Sequence, residues 1–240
     1  MAPYISHAPL WVIIIFLPVF LYCVFLIARM AGKAALEAAM GKSKAAQIRN
    51  AVFIFYVLYL AYASVLALKG VFDVDALPPR TMVWAGIPLL LFLFVFVGNT
   101  RLFRQLLGAV KLETLIRVHI FRIAGVFFLL LLFAHVLPAE FALFSGLGDV
   151  ITGIFAYPVA RLAAGRKRGW KVAVYAWNIF GLMDIIDLLV VAVLTGANGN
   201  LREVAIFPFA WFPVFAPATI LFLHVAVFRK MAVVNKDGRP

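Results

Sequence analysis

The sequence predicts an all-α membrane protein, a polytopic bundle of about seven transmembrane helices. Hydrophobic residues make up 66% of the 240 residues and charged residues only 13%, whereas soluble domains carry roughly 45–50% and about 25%. The apolar residues form seven runs of near-spanning length, since a helix needs ~20 residues to cross the hydrocarbon core. Residues 1–240 are therefore expected to form a single integral membrane domain surrounded by the lipid bilayer.

In chain order, the runs predict spans at about residues 10–31, 51–69, 83–99, 118–137, 141–163, 172–194 and 204–228. The first span is expected to stay as a membrane anchor. No basic residue precedes Arg29, whereas a cleaved signal begins with a positively charged region. A double proline and an Asn-Gly-Asn sequence predict outer turns in the connections 70–82 and 195–203.

The basic residues predict the orientation, because short cytoplasmic loops carry an excess of Lys and Arg. With the N-terminus outside and the C-terminus in the cytoplasm, 19 of the 22 basic residues lie on the cytoplasmic side, and only Lys69, Arg80 and Arg202 lie outside. The sequence thus predicts a multi-pass membrane protein with this orientation. This topology accounts for the formal charge of +12. No nucleic acid partner is expected, since nucleic-acid binders carry basic patches on a polar scaffold.

Residues 101–117 are expected to form an amphipathic helix on the cytoplasmic leaflet. Arg101, Arg104 and Lys111 share one helical face, and apolar side chains share another. Such a helix lies in the interface plane with its apolar face toward the acyl chains.

Three carboxyl groups are candidates for function, because an ionisable side chain at a span centre costs roughly 2.5–3.5 kcal/mol on insertion scales. Asp149 lies near the middle of the fifth span, and Asp184 and Asp187 lie in the middle and outer third of the sixth. Small residues flank Asp149 at helical spacing, and Trp177 shares a face with Asp184 and Asp187. We expect these two faces to meet.

These acids have two interpretations. In the first, the carboxyl groups are neutral or hydrogen-bonded and only fix the register of the helices. In the second, they form a proton or cation site, since intramembrane acids mark ion pathways and proton relays. A zinc hydrolase centre is not expected, because the sequence contains no HExxH or HxxxH pattern.

Arg122 lies at the start of the fourth span, one turn after His119. The sequence favours a side chain that reaches the headgroups over one that pairs with an acid. His119 and His224 are the two histidines at similar depth, so they provide an alternative as axial ligands of haem b. Apart from that alternative, no cofactor and no metal is predicted.

The seventh span contains Pro208, Pro213 and Pro217 between aromatic residues. Proline removes a backbone donor and bends a helix, and the freed carbonyl groups must find other partners. A bent helix beside acidic spans suits a ligand cavity, and it suits irregular packing nearly as well.

The second half of the chain contains a set of short motifs: Phe121-Arg122-Ile123, Leu137-Pro138, Phe141-Ala142, Gly146-Leu147-Gly148-Asp149, Gly153, Trp177-Asn178, Gly181 with Asp184, and Leu223-His224. Over roughly residues 115–230, these motifs resemble a group of uncharacterised bacterial inner-membrane proteins with about seven spans. The resemblance implies a helical membrane fold in the bacterial inner (cytoplasmic) membrane and carries no activity with it.

The leading functional prediction is a proton-linked carrier or channel for a small solute or cation. Its site is predicted to contain Asp149, Asp184, Asp187, Arg122, Trp177 and His224. The first alternative is a non-catalytic membrane subunit or sensor, as a homo-oligomer or with a partner in a membrane complex. The second is a haem-binding electron-transfer protein that uses His119 and His224. No motif names a catalytic residue, so an enzyme is not favoured.

Overall fold

The structure, a computed structural model, describes residues 4–73, 79–196 and 201–237. Its main helical segments in chain order are α1 Leu10–Glu37, α2 Lys42–Leu68, α3 Met82–Asn99, α4 Arg101–Ala109, α5 Leu112–Phe133, α6 Ala139–Ala164, α7 Trp170–Gly196 and α8 Trp211–Asp237. Seven of these, all except α4, are long and apolar enough to cross a membrane. The predicted helical fold with seven spanning helices is confirmed, and it indicates a multi-pass membrane protein.

Because seven spanning helices follow one another, the two ends of the chain lie on opposite faces of the bundle. We call these the N-terminal face, which holds the α2–α3, α5–α6 and α7–α8 connections, and the C-terminal face, which holds the α1–α2 and α6–α7 connections together with α4. The turns predicted at 70–82 and 195–203 belong to the N-terminal face, and within them residues 74–78 and 197–200 lie outside the described part of the chain.

Several helices extend beyond the predicted spans. The first ends at Glu37 and the second begins at Lys42, because Ala39 and Gly41 adopt φ angles of 55° and 80° and reverse the chain there. The last helix begins at Trp211, later than the predicted start at residue 204. Residues before it pair with the N-terminal segment instead, since the Phe207 amide donates to the Tyr4 carbonyl at 3.1 Å.

The predicted interfacial helix over 101–117 is too long. Helix α4 ends at Ala109, the backbone is extended at Val110 and Lys111, and α5 starts at Leu112 as part of the fourth spanning helix. The amide of Lys111 donates to a carboxylate oxygen of Glu37 at 2.8 Å. This bond to α1 replaces the intrahelical bond that a continuous helix would need.

The core is densest around α8, which is the most buried of the spanning helices, followed by α5. Near the N-terminal face the core is aromatic: Phe16 of α1 packs against Phe209 with ring centroids 4.8 Å apart, and Phe128 of α5 stacks on Phe212 at 4.2 Å. A cluster of buried polar side chains, including Arg122, Asp149, Asn178 and His224, lies further along α5, α6, α7 and α8. The aromatic core thus lies between the N-terminal face and the polar part of the bundle.

Candidate functional site

Arg122 lies at the centre of the polar part of the bundle, and its side chain is completely buried. It belongs to a stretch of 3₁₀ winding, Val118–Gly125, inside α5. With 3.0 residues per turn, side chains three residues apart line up along the helix. His119, Arg122 and Gly125 therefore share one line, and all three are buried.

Arg122 forms bonds to the three helices that follow it in the chain. Its Nε donates to Oδ1 of Asp149 on α6 at 2.6 Å, and its Nη2 donates to Oδ2 of Asp184 on α7. Its Nη1 donates to the carbonyl of Gly181 at 3.0 Å and lies 3.0 Å from Nε2 of His224 on α8. The guanidinium thus links α5, α6, α7 and α8 from inside.

This geometry corrects the expectation that Arg122 reaches the headgroups. A long basic side chain near the end of a span usually extends to the surface, because solvation of the charge is then retained. Here the charge is compensated by two carboxylates and further hydrogen bonds, which is the condition under which a buried ion is tolerated. Hydrophobicity alone does not reveal such partners, because they come from helices 27 and 62 residues further along the chain.

The network contains one guanidinium and two carboxyl groups, Asp149 and Asp184, with side chains 5% and 8% exposed. If both carboxyl groups are ionised, the network has one excess negative charge. A charge inside the membrane is costly unless it is balanced. One proton or one small cation would balance the network.

Glycines make the close approach of these side chains geometrically feasible. A Cβ on Gly148 would overlap the Asp184 carboxylate, and a Cβ on Gly125 would overlap Asp149. A Cβ on Gly181 would lie 2.6 Å from Cε1 of His224. The two predicted small-residue faces meet where Thr152 of α6 lies beside Gly181 of α7, whereas Gly146 and Gly153 of the α6 face pack against α5.

His224 has a defined tautomer. A guanidinium can only donate, so Nε2 of His224 accepts from Arg122 and Nδ1 carries the proton. This N–H donates to Oδ1 of Asn178 on α7 at 2.8 Å, and Nδ2 of Asn178 donates back to the His224 carbonyl at 3.1 Å. Asn178 therefore fixes the ring that contacts Arg122.

His119 is also completely buried, but neither of its ring nitrogens has a hydrogen-bond partner among the described residues. Its ring packs against His224 with centroids 4.3 Å apart and against Trp177 at 5.0 Å. The position of the Trp177 ring is fixed by a hydrogen bond, in which its Nε1 donates to the Thr152 carbonyl at 2.9 Å. An unpartnered buried imidazole is unusual and marks a position of functional interest.

This arrangement does not fit the haem hypothesis. Axial histidines bind iron from opposite sides of a porphyrin, whereas the rings of His119 and His224 pack directly on one another. Both ring nitrogens of His224 are also engaged by protein groups. For other metals, the described part of the chain contains no group of three His, Cys, Asp or Glu side chains placed to hold an ion.

Of the six predicted site residues, five are brought together: Arg122, Asp149, Trp177, Asp184 and His224. Asp187 is different, because it is exposed on α7 and forms no hydrogen bond or ion pair with a described residue. It follows Asp184 by three residues, which turns it by ~60° around the helix. That rotation is sufficient to carry it out of the buried network.

Two cavities lie close to the network. The smaller one, of about 20 Å³, is bordered by Arg122 and Asp149 and by Cys23 of α1. A larger one, of about 280 Å³, lies at the N-terminal face, where its lining includes Arg80 and Arg202.

Phe212 and Ala216 of α8 line both cavities. These two side chains therefore form the wall between the larger cavity and the charged network. Pro213 and Pro217 of the same helix line the larger cavity, so the proline-rich start of α8 does border a cavity.

A family model described as a domain of unknown function (DUF8737) matches residues 78–232. The match includes every residue of the Arg122 network. No curated protein and no solved structure matches the chain.

Proposed function

Since the chain belongs to the family described as a domain of unknown function (DUF8737), we propose its function from the geometry: a proton-linked carrier for a small solute. The observation that carries the proposal is that one buried guanidinium is shared by two buried carboxyl groups, Asp149 and Asp184. Such a set has two charge states that differ by one proton. Intramembrane acids paired with a basic group are typical of proton-coupled transport.

The exchange of a proton has a direct structural consequence in this proposal. When both carboxylates are ionised, both bind Arg122, Asp149 through Nε and Asp184 through Nη2. When one of them takes up a proton, its ion pair with Arg122 becomes a weaker hydrogen bond between an ion and a neutral group, while the other carboxylate keeps its ion pair. The helix that carries the protonated group, α6 or α7, is then held less strongly to α5.

The larger cavity at the N-terminal face is proposed as the solute-binding site. Its volume of about 280 Å³ approaches the range of small-molecule pockets, about 300–1,000 Å³. Its lining combines aromatic and aliphatic side chains with a few polar ones, including Asp73 and Thr81. Phe212 and Ala216 separate it from Arg122, so movement at the start of α8 would couple solute binding to the network.

Infrared spectroscopy tests the proton site directly. Reconstituted protein is expected to show a carbonyl band of a protonated carboxyl group that disappears at high pH. Asp187→Asn is made first, because the exposed Asp187 is a carboxyl group of α7 outside the network and would contribute a band of its own. In this background the band should remain, and a further Asp149→Asn or Asp184→Asn change should remove it. A band that persists in both network variants would contradict the proposal.

A flux assay tests the coupling. Vesicles that contain the protein and the pH dye pyranine are challenged with alanine, leucine, lactate or glucose. At least one solute is expected to change the internal pH faster than in protein-free vesicles, and Asp149→Asn should abolish this change while Asp187→Asn preserves it. If no solute does so, the carrier function is wrong for this chemical range.

We further propose that the C-terminal face is cytoplasmic, because the basic residues concentrate on that face. The motifs of residues 115–230 support a bacterial inner membrane, because they resemble bacterial inner-membrane proteins. Cys23 is the only cysteine of the chain and is buried, so Cys23→Ser gives a background for labelling. In intact cells, Lys69→Cys should react with an impermeant maleimide and Lys167→Cys should not. The reverse pattern would invert the topology.

A second candidate function is a non-catalytic subunit of a membrane assembly. Asp187 favours it, because a carboxyl group exposed within a spanning helix is costly unless a partner covers it. In this case the partner, a second copy or another membrane protein, supplies a hydrogen-bond donor at the α7 surface. Asp187→Leu should then dissociate the assembly in detergent, whereas the carrier proposal expects flux and assembly to survive this change.

A further inference from the structure

Another cavity, of about 340 Å³, lies toward the C-terminal face between α1, α2, α3, α4 and α8. Its walls are almost entirely apolar, and the few polar side chains in them are already satisfied. The hydroxyl of Tyr56 lies 3.2 Å from that of Thr219, and Thr100 Oγ1 donates to the Val97 carbonyl at 2.8 Å. An occupant therefore needs no polar groups at this depth.

The rim of the cavity opens to the surface of the bundle. Phe92 of α3 and Leu102 of α4 both line the cavity, and they are 38% and 41% exposed. Ala51 of α2 is another exposed lining residue. An apolar molecule could thus enter sideways from the bilayer, without crossing a polar surface.

Helix α4 covers the end of the cavity that is nearest the C-terminal face. Its apolar residues Leu102, Phe103 and Leu106 line the cavity, while Arg101 and Arg104 are exposed on its other side. Thr100 fixes the start of the helix, because its hydroxyl oxygen accepts from the Phe103 amide at 3.0 Å. The helix therefore has apolar contacts on the side that faces the cavity and positive charge on the opposite side.

The basic side chains beside the cavity indicate which class of molecule it binds. Arg49 follows the lining residue Ile48 in α2 and is exposed, so a third basic residue is adjacent in sequence to the cavity lining. Glu37 on this face forms its ion pair with Lys33 at 3.9 Å and accepts from the Lys111 amide, and it forms no ion pair with these arginines among the described residues. Guanidinium groups bind phosphate through paired hydrogen bonds.

We infer that the cavity binds an acyl chain of an anionic phospholipid from the leaflet at the C-terminal face, with the phosphate held by Arg101 and Arg104. The apolar walls accept the chain, the open rim lets it enter from the bilayer, and the basic face of α4 meets the headgroup. This site is separate from the Arg122 network and does not depend on the proposed transport function.

Native mass spectrometry of delipidated protein in detergent tests the inference, with dioleoylphosphatidylglycerol as the probe. One molecule is expected to stay bound, at concentrations where dioleoylphosphatidylcholine does not. Arg101→Gln with Arg104→Gln should weaken retention about 30-fold, since each basic residue near an anionic surface contributes about a factor of five. Arg168→Gln with Lys171→Gln removes two charges elsewhere on the same face and should leave retention unchanged.

Substitutions on α2 test whether the acyl chain occupies the cavity. Ala51→Phe places a ring at the rim and should reduce retention at least tenfold, whereas Ala61→Phe makes the same change at an exposed position of α2 outside the cavity. Glycerol 3-phosphate, which has the phosphate but no chain, should not compete. Equal retention of both lipids, retention unaffected by Ala51→Phe, or isolation of a lipid-free dimer that shields this rim would each overturn the inference. Asp149→Asn should not affect lipid retention, so failure of the transport proposal would leave this result intact.

Discussion

The guanidinium Nε of Arg122 donates to Oδ1 of Asp149 at 2.6 Å, and both side chains are at least 95% buried. This bond joins the fourth and fifth spanning helices inside the bundle. Removal of one partner from a buried ion pair leaves an uncompensated charge and costs about 3–5 kcal/mol.

Arg122→Met is therefore expected to lower the free energy of unfolding by about 3–5 kcal/mol, measured by denaturant titration in detergent micelles. The side chain keeps a similar volume, so the loss reports the charge and not a cavity. Arg168→Met is the control, because Arg168 is exposed in the α6–α7 connection, and it should change stability by no more than about 0.5 kcal/mol. A cost below about 1 kcal/mol for Arg122→Met would contradict the buried network.

The tautomer of His224 is a second prediction. With ¹⁵N-labelled histidine, solid-state NMR of reconstituted protein should show Nδ1 protonated and Nε2 unprotonated, because Nε2 accepts from Arg122. The signal of His224 is identified as the one that is missing from the spectrum of His224→Gln. In Asn178→Leu the acceptor of the Nδ1–H is lost, and the tautomer preference should weaken. A signal with the proton on Nε2 in the unmodified protein is incompatible with the bond to Arg122.

Glycine contacts lead to a third prediction. A Cβ on Gly153 would lie 2.8 Å from the backbone nitrogen of Ile123, and the backbone cannot move aside as a side chain can. Gly153→Ala should therefore destabilise the protein by about 1–3 kcal/mol. At Gly108 in α4 a Cβ would meet nothing within 4 Å, so Gly108→Ala should be neutral or stabilising by up to about 1 kcal/mol. Thermal unfolding of the two variants side by side provides the measurement, and equal effects would refute the close packing of α6 on α5.

The N-terminal segment provides a fourth prediction. Glu203 is buried and accepts from the Ser6 hydroxyl at 2.6 Å, and it lies 2.8 Å from Nδ1 of His7. Glu203→Leu should release this segment, at a cost of about 1–3 kcal/mol for the unsatisfied partners, and hydrogen exchange at the His7 amide should accelerate. The comparison variant is Asp73→Asn, whose partner Arg202 is 40% exposed on its side chain. An exposed pair contributes about 0–1 kcal/mol, so this variant should leave exchange at His7 unchanged.

The seven spanning helices could be predicted from the sequence, because the hydropathy of a segment is averaged over its whole length and does not depend on which helices are its neighbours. The end of α4 could not be predicted in the same way. The amphipathic pattern continues to residue 117, and the break depends on a carboxylate of α1 that lies 74 residues earlier in the chain.

The candidate site was predictable in part. Asp149 and Asp184 stand out as acids within apolar runs, and the small residues beside them indicate close packing. The pairing of Arg122 could not be predicted, because its partners come from three other helices and its direction depends on 3₁₀ winding that hydropathy does not encode. In the sequence, Asn178 stands out only as part of a motif. Its role is to orient His224, and an uncharged residue with such a role gives no signal in a search for charges within apolar runs.

The 3₁₀ winding of Val118–Gly125 links the length of α5 to the direction in which its side chains point. Each residue advances ~2.0 Å and turns ~120° in this winding, against ~1.5 Å and ~100° in an α-helix. Rewinding these residues as α-helix would shorten α5 by ~4 Å and rotate Arg122 by ~60° relative to His119. Spin-label distances between the ends of α5 measure this shortening, and a constant distance at every pH would exclude it. Such a helix can turn its charge away from the carboxylates by torsion alone, because each backbone N–H of this stretch then donates to the carbonyl four residues earlier instead of three.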